Sequence, residues 1–324
     1  MPYYTMPDQQ RLFVREIGRG RPVLILSGLG MSSWQWLPFI ASSLAHRKFY
    51  IPDFRGFGRS KDCQIPTDAD FACDAIASHW RDVACLVEHI SAVENLAHGI
   101  DLIAYSMGAT TAMHGMKYGN FSHKIKRYIH IDQSPCIRNQ SDWQFGLYGD
   151  QQAVFLDILD RLLHLLTPYR QLHQPLKQLP LHIKQLFLPL FDEFVTLQKV
   201  GLPQHKSQKS YSQRFTFFEQ IAPSNIAKTM QLKLLPFHSV DYLFWYLNSY
   251  RQHQHDYRAV LFSLTTPAHF LIGQQSVLYP AEGQIDIARQ LSDAKLHIFE
   301  GAGHALVAQQ PIRFSRLMYQ LLLD

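Results

Sequence analysis

Short, continuous apolar runs alternate with longer amphipathic segments through the first part of the chain. The run at residues 22–27, Pro-Val-Leu-Ile-Leu-Ser, is typical of a strand that is buried on both faces of a sheet. Around it, the spacing predicts a hairpin at 3–6 and 12–17, strands at 49–52, 99–105 and 125–131, and helices at 34–45, 74–90 and 107–118. Strands and helices in this alternation predict an α/β fold, with a mostly parallel sheet and helices on both faces.

The alternation stops after residue 133. Residues 134–260 are rich in Leu, Phe, Tyr, Gln and His, show helical spacing at 154–166 and 181–194, and are divided by prolines into short pieces. Alternation returns with strands at 267–273 and 295–299 and helices at 282–291 and 311–323. A long insertion without strands in a compact domain is usually functional. We therefore predict a core formed by residues 1–133 and 261–324, interrupted by a helical cap at residues 134–260.

The composition excludes several classes of protein. Hydrophobic residues make up 47% of the chain and charged residues 18%, so a large core can form and wholesale disorder is excluded. No apolar run reaches the ~18 residues of a membrane helix. The net charge of +5 is spread along the chain, which does not favour a nucleic-acid partner. The N-terminus shows no signal peptide and the four cysteines form no C-x-x-C pair, which predicts free thiols and a cytoplasmic location.

A serine stands at the junction between a predicted strand and a predicted helix, in the sequence A-Y-S-M-G at residues 104–108. Small residues two positions before and after Ser106 let the strand and helix approach, and a strained turn there pushes the hydroxyl out of the sheet, as a nucleophile requires. The usual pattern is G-x-S-x-G, and Ala104 replaces its first glycine. The alternative is that Ser106 only caps the helix, since serine is a favoured N-cap residue.

A serine nucleophile also needs a base and an oxyanion hole. His304 follows the last predicted strand in the sequence Gly-Ala-Gly-His, where glycines let an imidazole project over the carboxyl edge of the sheet. The sequence Ser-Gly-Leu-Gly at residues 27–30 follows another buried strand, and its glycines would turn a backbone N–H toward a substrate. The predicted oxyanion donors are the backbone N–H groups of Leu29 and Met107.

Four motifs occur in a fixed order: S-G-L-G at 27–30, D-F-R-G-F-G-R-S at 53–60, A-Y-S-M-G at 104–108 and F-E-G-A-G-H at 299–304. With these motifs the chain resembles the α/β-hydrolase superfamily. The resemblance implies an eight-stranded, mostly parallel sheet and a Ser–acid–His mechanism without metal or cofactor. It also implies that Asp53 and Arg55 are structural.

The acid of the triad is missing from its usual place in this superfamily, a G-x-x-D turn after the strand that follows the cap. Here the turn reads Gly-Gln-Gln-Ser and ends at Ser276, and a serine cannot hold an imidazolium by charge. The alternative in this fold is the end of the preceding core strand, where Asp132 begins a D-Q-S-P turn. This turn and the following Asp142-Trp143 resemble a subgroup of lid-bearing serine hydrolases, of the esterase and haloperoxidase type, in which a serine replaces the later acid. We therefore predict Asp132 as the triad acid, with capping of its own turn as the alternative. Less suitably placed carboxylates are Glu282, Glu300, Asp101 and Asp293.

Three other interpretations stay open. The pattern Gly28-x-Gly30-x-x-Ser33, followed by Asp53, imitates a dinucleotide-binding fingerprint whose third glycine is missing. A zinc site is a second interpretation, with candidate ligands His253, His255 and Asp256 but no partner ligands at a helpful spacing. The third is an inactive hydrolase fold used for binding, which the serine at position 276 motivates.

These residues favour a serine hydrolase, and first a carboxylesterase that acts on a small to medium apolar ester through an acyl-enzyme. The same triad also suits a lactonase, a thioesterase, a C–C hydrolase or a cofactor-free haloperoxidase or perhydrolase. Aromatic residues of the cap suggest an apolar substrate pocket that includes Trp143, Trp245 and residues 215–218, with packing of the cap on the core as the alternative. The expected partner is a small-molecule ester or related acyl substrate, nucleic acid is not expected, and a homodimer stays open.

Overall fold

A computed structural model describes residues 3–68, 74–94, 96, 99–170, 175–197, 239–252 and 254–323. Its strands are β1 (Tyr3–Thr5), β2 (Arg11–Gly18), β3 (Arg21–Leu26), β4 (Arg47–Pro52), β5 (Ile100–Tyr105), β6 (Ile125–Ile131), β7 (Ala268–Gly273) and β8 (Ala294–Phe299). They form one eight-stranded sheet in the order β1-β2-β4-β3-β5-β6-β7-β8. Only the pairings of β2, with β1 and with β4, are antiparallel, so the predicted mostly parallel sheet is confirmed.

Helices cover both faces of this sheet, as the alternation predicts. The described α-helices are α1 (Leu37–Ile40), α2 (Ala75–Val93), α3 (Met107–Tyr118), α4 (Gln152–Leu166), α5 (Leu181–Leu197), α6 (Val240–Gln252), α7 (Arg258–Phe262), α8 (Ala281–Gln290), α9 (Leu306–Gln309) and α10 (Pro311–Leu323). One face of the sheet packs against α2, α3 and α8, and the other face packs against α1, α9 and α10. Among the described residues, none of these helices is long and apolar enough to span a bilayer.

The central strand β3 explains why the sequence reads as an unbroken apolar run. Consecutive side chains of a strand point to opposite faces of the sheet, and in this fold both faces are covered. Leu24 and Leu26 therefore pack in the core beneath α2 and α3, while Val23 and Ile25 pack in the core beneath α1 and α10. All four side chains are fully buried.

The continuous helix predicted at residues 34–45 is wrong. The chain there forms a 3₁₀ turn at Ser33–Trp36, the single turn α1 and a second 3₁₀ turn at Ala41–Ser43. Pro38 lacks the N–H that would donate to the carbonyl of Trp34 in a continuous α-helix, so the helical hydrogen-bond ladder cannot run through this point.

The segment predicted as a cap contains α4, α5 and α6, and its described residues include no strand of the sheet. Helix α7 crosses the predicted boundary at residue 260 and packs against α3 and α8. The division of the chain into core and cap stays a prediction. The aromatic residues 215–218 lie outside the described residues.

Candidate active site

Ser106 lies in the turn between β5 and α3. Its backbone has φ +52° and ψ −122°, a conformation that residues with side chains rarely adopt and that the surrounding structure must hold in place. Gly108 is required at this turn because a Cβ there would lie 2.1 Å from the carbonyl oxygen of Leu26. Ala104, which replaces the usual first glycine, is fully buried in β5. The turn that the sequence predicts is therefore present, with the serine at the carboxyl end of its strand.

Asp132 follows β6, the strand that pairs with β5, and therefore stands at the same edge of the sheet. The backbone N–H of Ser106 donates to the carbonyl of Ile131 at 3.0 Å, and that of Asp132 donates to the carbonyl of Leu271 at 2.9 Å. These bonds continue the parallel ladders beyond the strands and fix three neighbouring strand ends. Asp132 has φ +43°, in a region that aspartate tolerates better than most residues.

His304 joins the serine to the aspartate. Its Nδ1 lies 2.7 Å from Asp132 Oδ2, and its Nε2 lies 2.9 Å from Ser106 Oγ. Because a carboxylate only accepts hydrogen bonds, we assign the proton of the neutral ring to Nδ1, which leaves the Nε2 lone pair facing the serine hydroxyl. This tautomer is the one that can remove a proton from Ser106.

Two tyrosines hold the imidazole of His304 in this position. The ring of Tyr105 stacks on it with centroids 5.3 Å apart, and the Tyr105 hydroxyl donates to the carbonyl of His304 at 2.9 Å. The ring of Tyr279 meets it edge-on, with centroids 5.7 Å apart. The loop before the histidine packs closely on β7, since a Cβ at Gly273 would lie 2.3 Å from the carbonyl oxygen of Gly303.

The Asp132 carboxylate is fully buried and is held by three residues besides His304. The Ser276 hydroxyl donates to Oδ2 at 2.6 Å, and the Gly273 N–H donates to Oδ1 at 2.8 Å. The amide of Gln284 is also near Oδ1, at 3.4 Å. The contact between Ser276 and Asp132 was not among the features predicted from the sequence.

The other candidate acids have other surroundings. Glu282, Glu300 and Asp293 are exposed to solvent. Asp101 is buried and faces Arg47, with 3.7 Å between its Oδ2 and the arginine Nε. Among the carboxylates considered from the sequence, Asp132 is therefore the one that contacts the histidine.

A cavity of about 360 Å³ opens above Ser106 and His304, within the size range of small-molecule pockets. Gly28 and Leu29, from the loop after β3, also line it. Among the described residues, the backbone N–H groups of Leu29 and Met107 donate to no protein acceptor, and Met107 begins α3. Within that part of the chain, neither of the two N–H groups is therefore occupied by a hydrogen bond.

Comparison with known proteins decides the family. A profile of the alpha/beta hydrolase family matches residues 23–317, a span that contains Ser106, Asp132 and His304. The chain belongs to the alpha/beta hydrolase family. A search of curated proteins finds no significant match to its sequence.

Solved structures similar to this alpha/beta hydrolase include an esterase from Exiguobacterium antarcticum, at 15% identity and a TM-score of 0.68, with 100% of this chain and 99% of the other covered. A bromoperoxidase from Bacillus anthracis matches at 17% identity and a TM-score of 0.66, covering 97% and 96% of the two chains. An enol-lactonase from Burkholderia xenovorans LB400 matches at 14% identity and a TM-score of 0.62, covering 100% of both. At these identities the similarity shows the shared fold.

Three helices of the segment between β6 and β7 line the cavity of this hydrolase. Each helix contributes residues from one of its sides. Residues spaced by three, four or seven positions lie on the same side of a helix. The lining residues follow this spacing: Phe155, Leu159 and Leu162 on α4; Phe187, Phe191 and Phe194 on α5; Leu243, Tyr246, Leu247 and Tyr250 on α6. The described lining contains no Asp, Glu, Lys or Arg.

The two tryptophans suggested for the pocket lie outside this lining. Trp143 is buried, and its indole N–H donates to the carbonyl of Cys136 at 3.1 Å. Trp245 is buried, and its ring meets that of His79 on α2 edge-on, with centroids 5.6 Å apart. Both indoles therefore contribute to packing rather than to the described lining, the alternative considered for such aromatics from the sequence. Phe155, Phe187 and their neighbours instead supply the aromatic surface of the cavity.

The residues considered for dinucleotide binding and for a zinc site make contacts within the protein. Both carboxylate oxygens of Asp53 accept backbone N–H groups, from Ser33 at 2.5 Å and from Arg59 at 2.8 Å, so this side chain holds two loops together, as expected for a structural residue. Within the described part of the chain, no group of three or more His, Cys, Asp or Glu side chains is arranged to hold a metal ion. His255 Nε2 lies 3.6 Å from Asp74 Oδ2. His253 lies outside the described residues.

Proposed function

We propose that this alpha/beta hydrolase is a carboxylesterase that uses Ser106, His304 and Asp132 as its catalytic triad. The observation that carries the proposal is the pair of contacts made by His304, 2.9 Å from Ser106 Oγ and 2.7 Å from Asp132 Oδ2. A strained serine, a histidine and a buried carboxylate in this chain of contacts are the parts that acyl transfer requires. This arrangement also argues against an inactive fold, since the acid absent at position 276 is supplied from another strand.

In the proposed reaction, Ser106 Oγ attacks the ester carbonyl while His304 Nε2 takes the hydroxyl proton. The tetrahedral intermediate collapses to an acyl-enzyme, and His304 gives the proton to the departing alcohol. Water then attacks the acyl-enzyme, with His304 again acting first as base and then as acid. Asp132 fixes the tautomer of His304 and stabilises the imidazolium that forms in each step.

The negative charge on the carbonyl oxygen of the intermediate needs hydrogen-bond donors. We assign this role to the backbone N–H groups of Leu29 and Met107, one at the loop after β3 and one at the N-terminus of α3. The positive end of the dipole of α3 adds to the stabilisation. Donors of this kind are effective because they are already in place before the charge develops.

The cavity indicates the class of acyl group that the enzyme accepts. Its described lining is mostly Leu, Phe and Tyr, without a charged side chain other than His304 when protonated. Burying a charged group in such a site is costly, whereas burying an alkyl chain is favourable by about 0.8 kcal/mol per methylene. We therefore propose uncharged esters with medium-length alkyl or aromatic acyl groups as substrates, in preference to acetates.

A series of p-nitrophenyl esters tests this function. We expect kcat/KM to rise from acetate to hexanoate, and the hexanoate to exceed the adipate half-ester, which carries a carboxylate on an acyl chain of equal length, by about 100-fold. Absence of turnover over the whole series would contradict the esterase assignment. Equal turnover of the charged and uncharged esters would contradict the assigned substrate class.

Phe191→Ala is expected to move the acyl-length preference toward longer chains. Phe191 lines the cavity from α5 and is half-buried, so its loss enlarges the site without emptying the centre of the core. The ratio of kcat/KM for decanoate to that for hexanoate should rise at least about threefold. Phe244→Ala is the matched control, because Phe244 is a half-buried aromatic on α6 that does not line the cavity. An equal change in the control, or none in Phe191→Ala, would show that this wall does not select the acyl group.

A further inference from the structure

Ser276 stands in the turn after β7, at the position where this family usually carries its acid, and it touches the acid that comes from β6. Its hydroxyl donates to Asp132 Oδ2 at 2.6 Å, on the same oxygen that His304 Nδ1 approaches at 2.7 Å. We infer that Ser276 is a positioning residue, which orients the Asp132 carboxylate for His304 and stabilises its negative charge. This inference rests on the proposed function of the triad.

The Asp132 carboxylate has four contacts, two on each of its oxygens. Oδ1 is anchored by the N–H of Gly273 and lies near the amide of Gln284. Oδ2 is shared by Ser276 and His304. The turn after β7 thus supplies a backbone donor to one oxygen and a hydroxyl donor to the other, which fixes the plane of the carboxylate. A catalytic group held in this way needs little rearrangement during the reaction.

The hydroxyl matters because the carboxylate is removed from water. Asp132 is fully buried and Ser276 is nearly so, hence water cannot easily replace a donor that is lost. Hydrogen bonds donated to a charged acceptor are roughly twice as strong as those between neutral groups. Without the hydroxyl, the negative charge on Oδ2 would be balanced by His304 alone, and the histidine–aspartate pair would bind its proton more tightly.

The other titratable side chains around His304 and Asp132 favour their uncharged forms at neutral pH. Within the described residues, His304 is the one ion-pair partner of Asp132. Burial lowers the pKa of the neighbouring His130 to about 4. Burial also raises the pKa of Tyr105 and that of Tyr279 well above the usual range. These shifts favour the uncharged form of all three side chains at neutral pH, so none of them adds a charge beside the pair.

Ser276→Ala tests the inference, with Ser60→Ala as the matched control. Ser60 is also a buried serine, whose hydroxyl accepts the N–H of Phe13 at 2.9 Å, but it lies outside the site. The first readout is the titration of the His304 ring by NMR, assigned among the 17 histidines by comparison with His304→Ala. The second is the pH dependence of kcat/KM on a p-nitrophenyl ester. The melting temperature of each variant reports any loss of stability.

In Ser276→Ala, we expect the His304 titration and the acid limb of the rate profile to move to higher pH by about half a unit to one unit. We also expect kcat to fall about tenfold with KM little changed. The Ser60→Ala variant should lose stability without either effect. If Ser276→Ala keeps both the wild-type titration and the wild-type kcat, the positioning role is wrong. The NMR titration needs no turnover, so this failure is distinct from a failure of the esterase assignment, in which the wild-type protein itself would be inactive.

Discussion

Ser106→Ala is expected to lower ester turnover by about 10⁴-fold or more while the protein stays folded. The side chain supplies the attacking oxygen, and its described hydrogen bond is the one to His304. Removing it leaves the turn between β5 and α3, the proposed oxyanion donors and the cavity in place. The activity should be measured on a p-nitrophenyl ester, with the melting temperature as the check that the fold is retained.

The same experiment includes His304→Ala and the double variant. A serine and histidine that act as one unit lose most of their effect when either is removed. We therefore expect His304→Ala to cost about as much as Ser106→Ala, and the double variant to be little worse than either one. Losses that multiply in the double variant would mean that the two residues act independently, against the proposed mechanism.

Asp132→Asn is expected to lower kcat by about 10⁴-fold with KM little altered. The amide keeps the shape of the carboxylate but carries no charge to stabilise the imidazolium, and its NH₂ group favours the wrong tautomer of His304. Glu282→Gln and Glu300→Gln are the controls, because both side chains are exposed and were the alternative acids. Each should keep activity within about twofold of the wild type, as surface substitutions away from a site usually do.

A relocated acid tests the same assignment in the opposite direction. Ser276 Oγ lies 2.6 Å from Asp132 Oδ2, so a side chain at position 276 already reaches the oxygen that contacts His304. Ser276→Asp in an Asp132→Ala background should therefore recover part of the activity lost in Asp132→Ala. Near-normal activity of Asp132→Ala alone would remove Asp132 from the mechanism.

The architecture could be predicted from the sequence because buried strands and helices have recognisable patterns of apolar residues. The strands at the centre of the sheet are covered on both faces, and they read as unbroken apolar runs. The prediction of a continuous helix at residues 34–45 is wrong because Pro38 interrupts the hydrogen-bond ladder. The apolar residues there do have helical spacing, and this misled the prediction. Proline acts here through the backbone, which a pattern of side-chain hydropathy does not register.

The candidate site was predictable in part for a similar reason. Ser106 follows β5 directly and His304 comes five residues after the end of β8, and both lie in segments with glycine and alanine, which mark sharp turns. Asp132 was predicted from the resemblance, which places an acid at the end of β6 in one subgroup, and the structure puts it beside His304. The contact with Ser276 and the lining of the cavity depend on how distant segments pack. Trp143 and Trp245 illustrate this limit, since an aromatic residue in a cap-like segment can face the cavity or the core with the same local spacing.

Covalent labelling with a fluorophosphonate probe tests the central claim, that Ser106 is an activated nucleophile, most directly. Such a probe reacts with a serine whose hydroxyl proton is removed by a neighbouring base, and it does not depend on knowing the substrate. We predict one adduct per chain by intact mass, located on Ser106 by peptide mass spectrometry, absent in Ser106→Ala and formed much more slowly in His304→Ala. An adduct that persists in Ser106→Ala, or no adduct on protein that hydrolyses esters, would contradict the account.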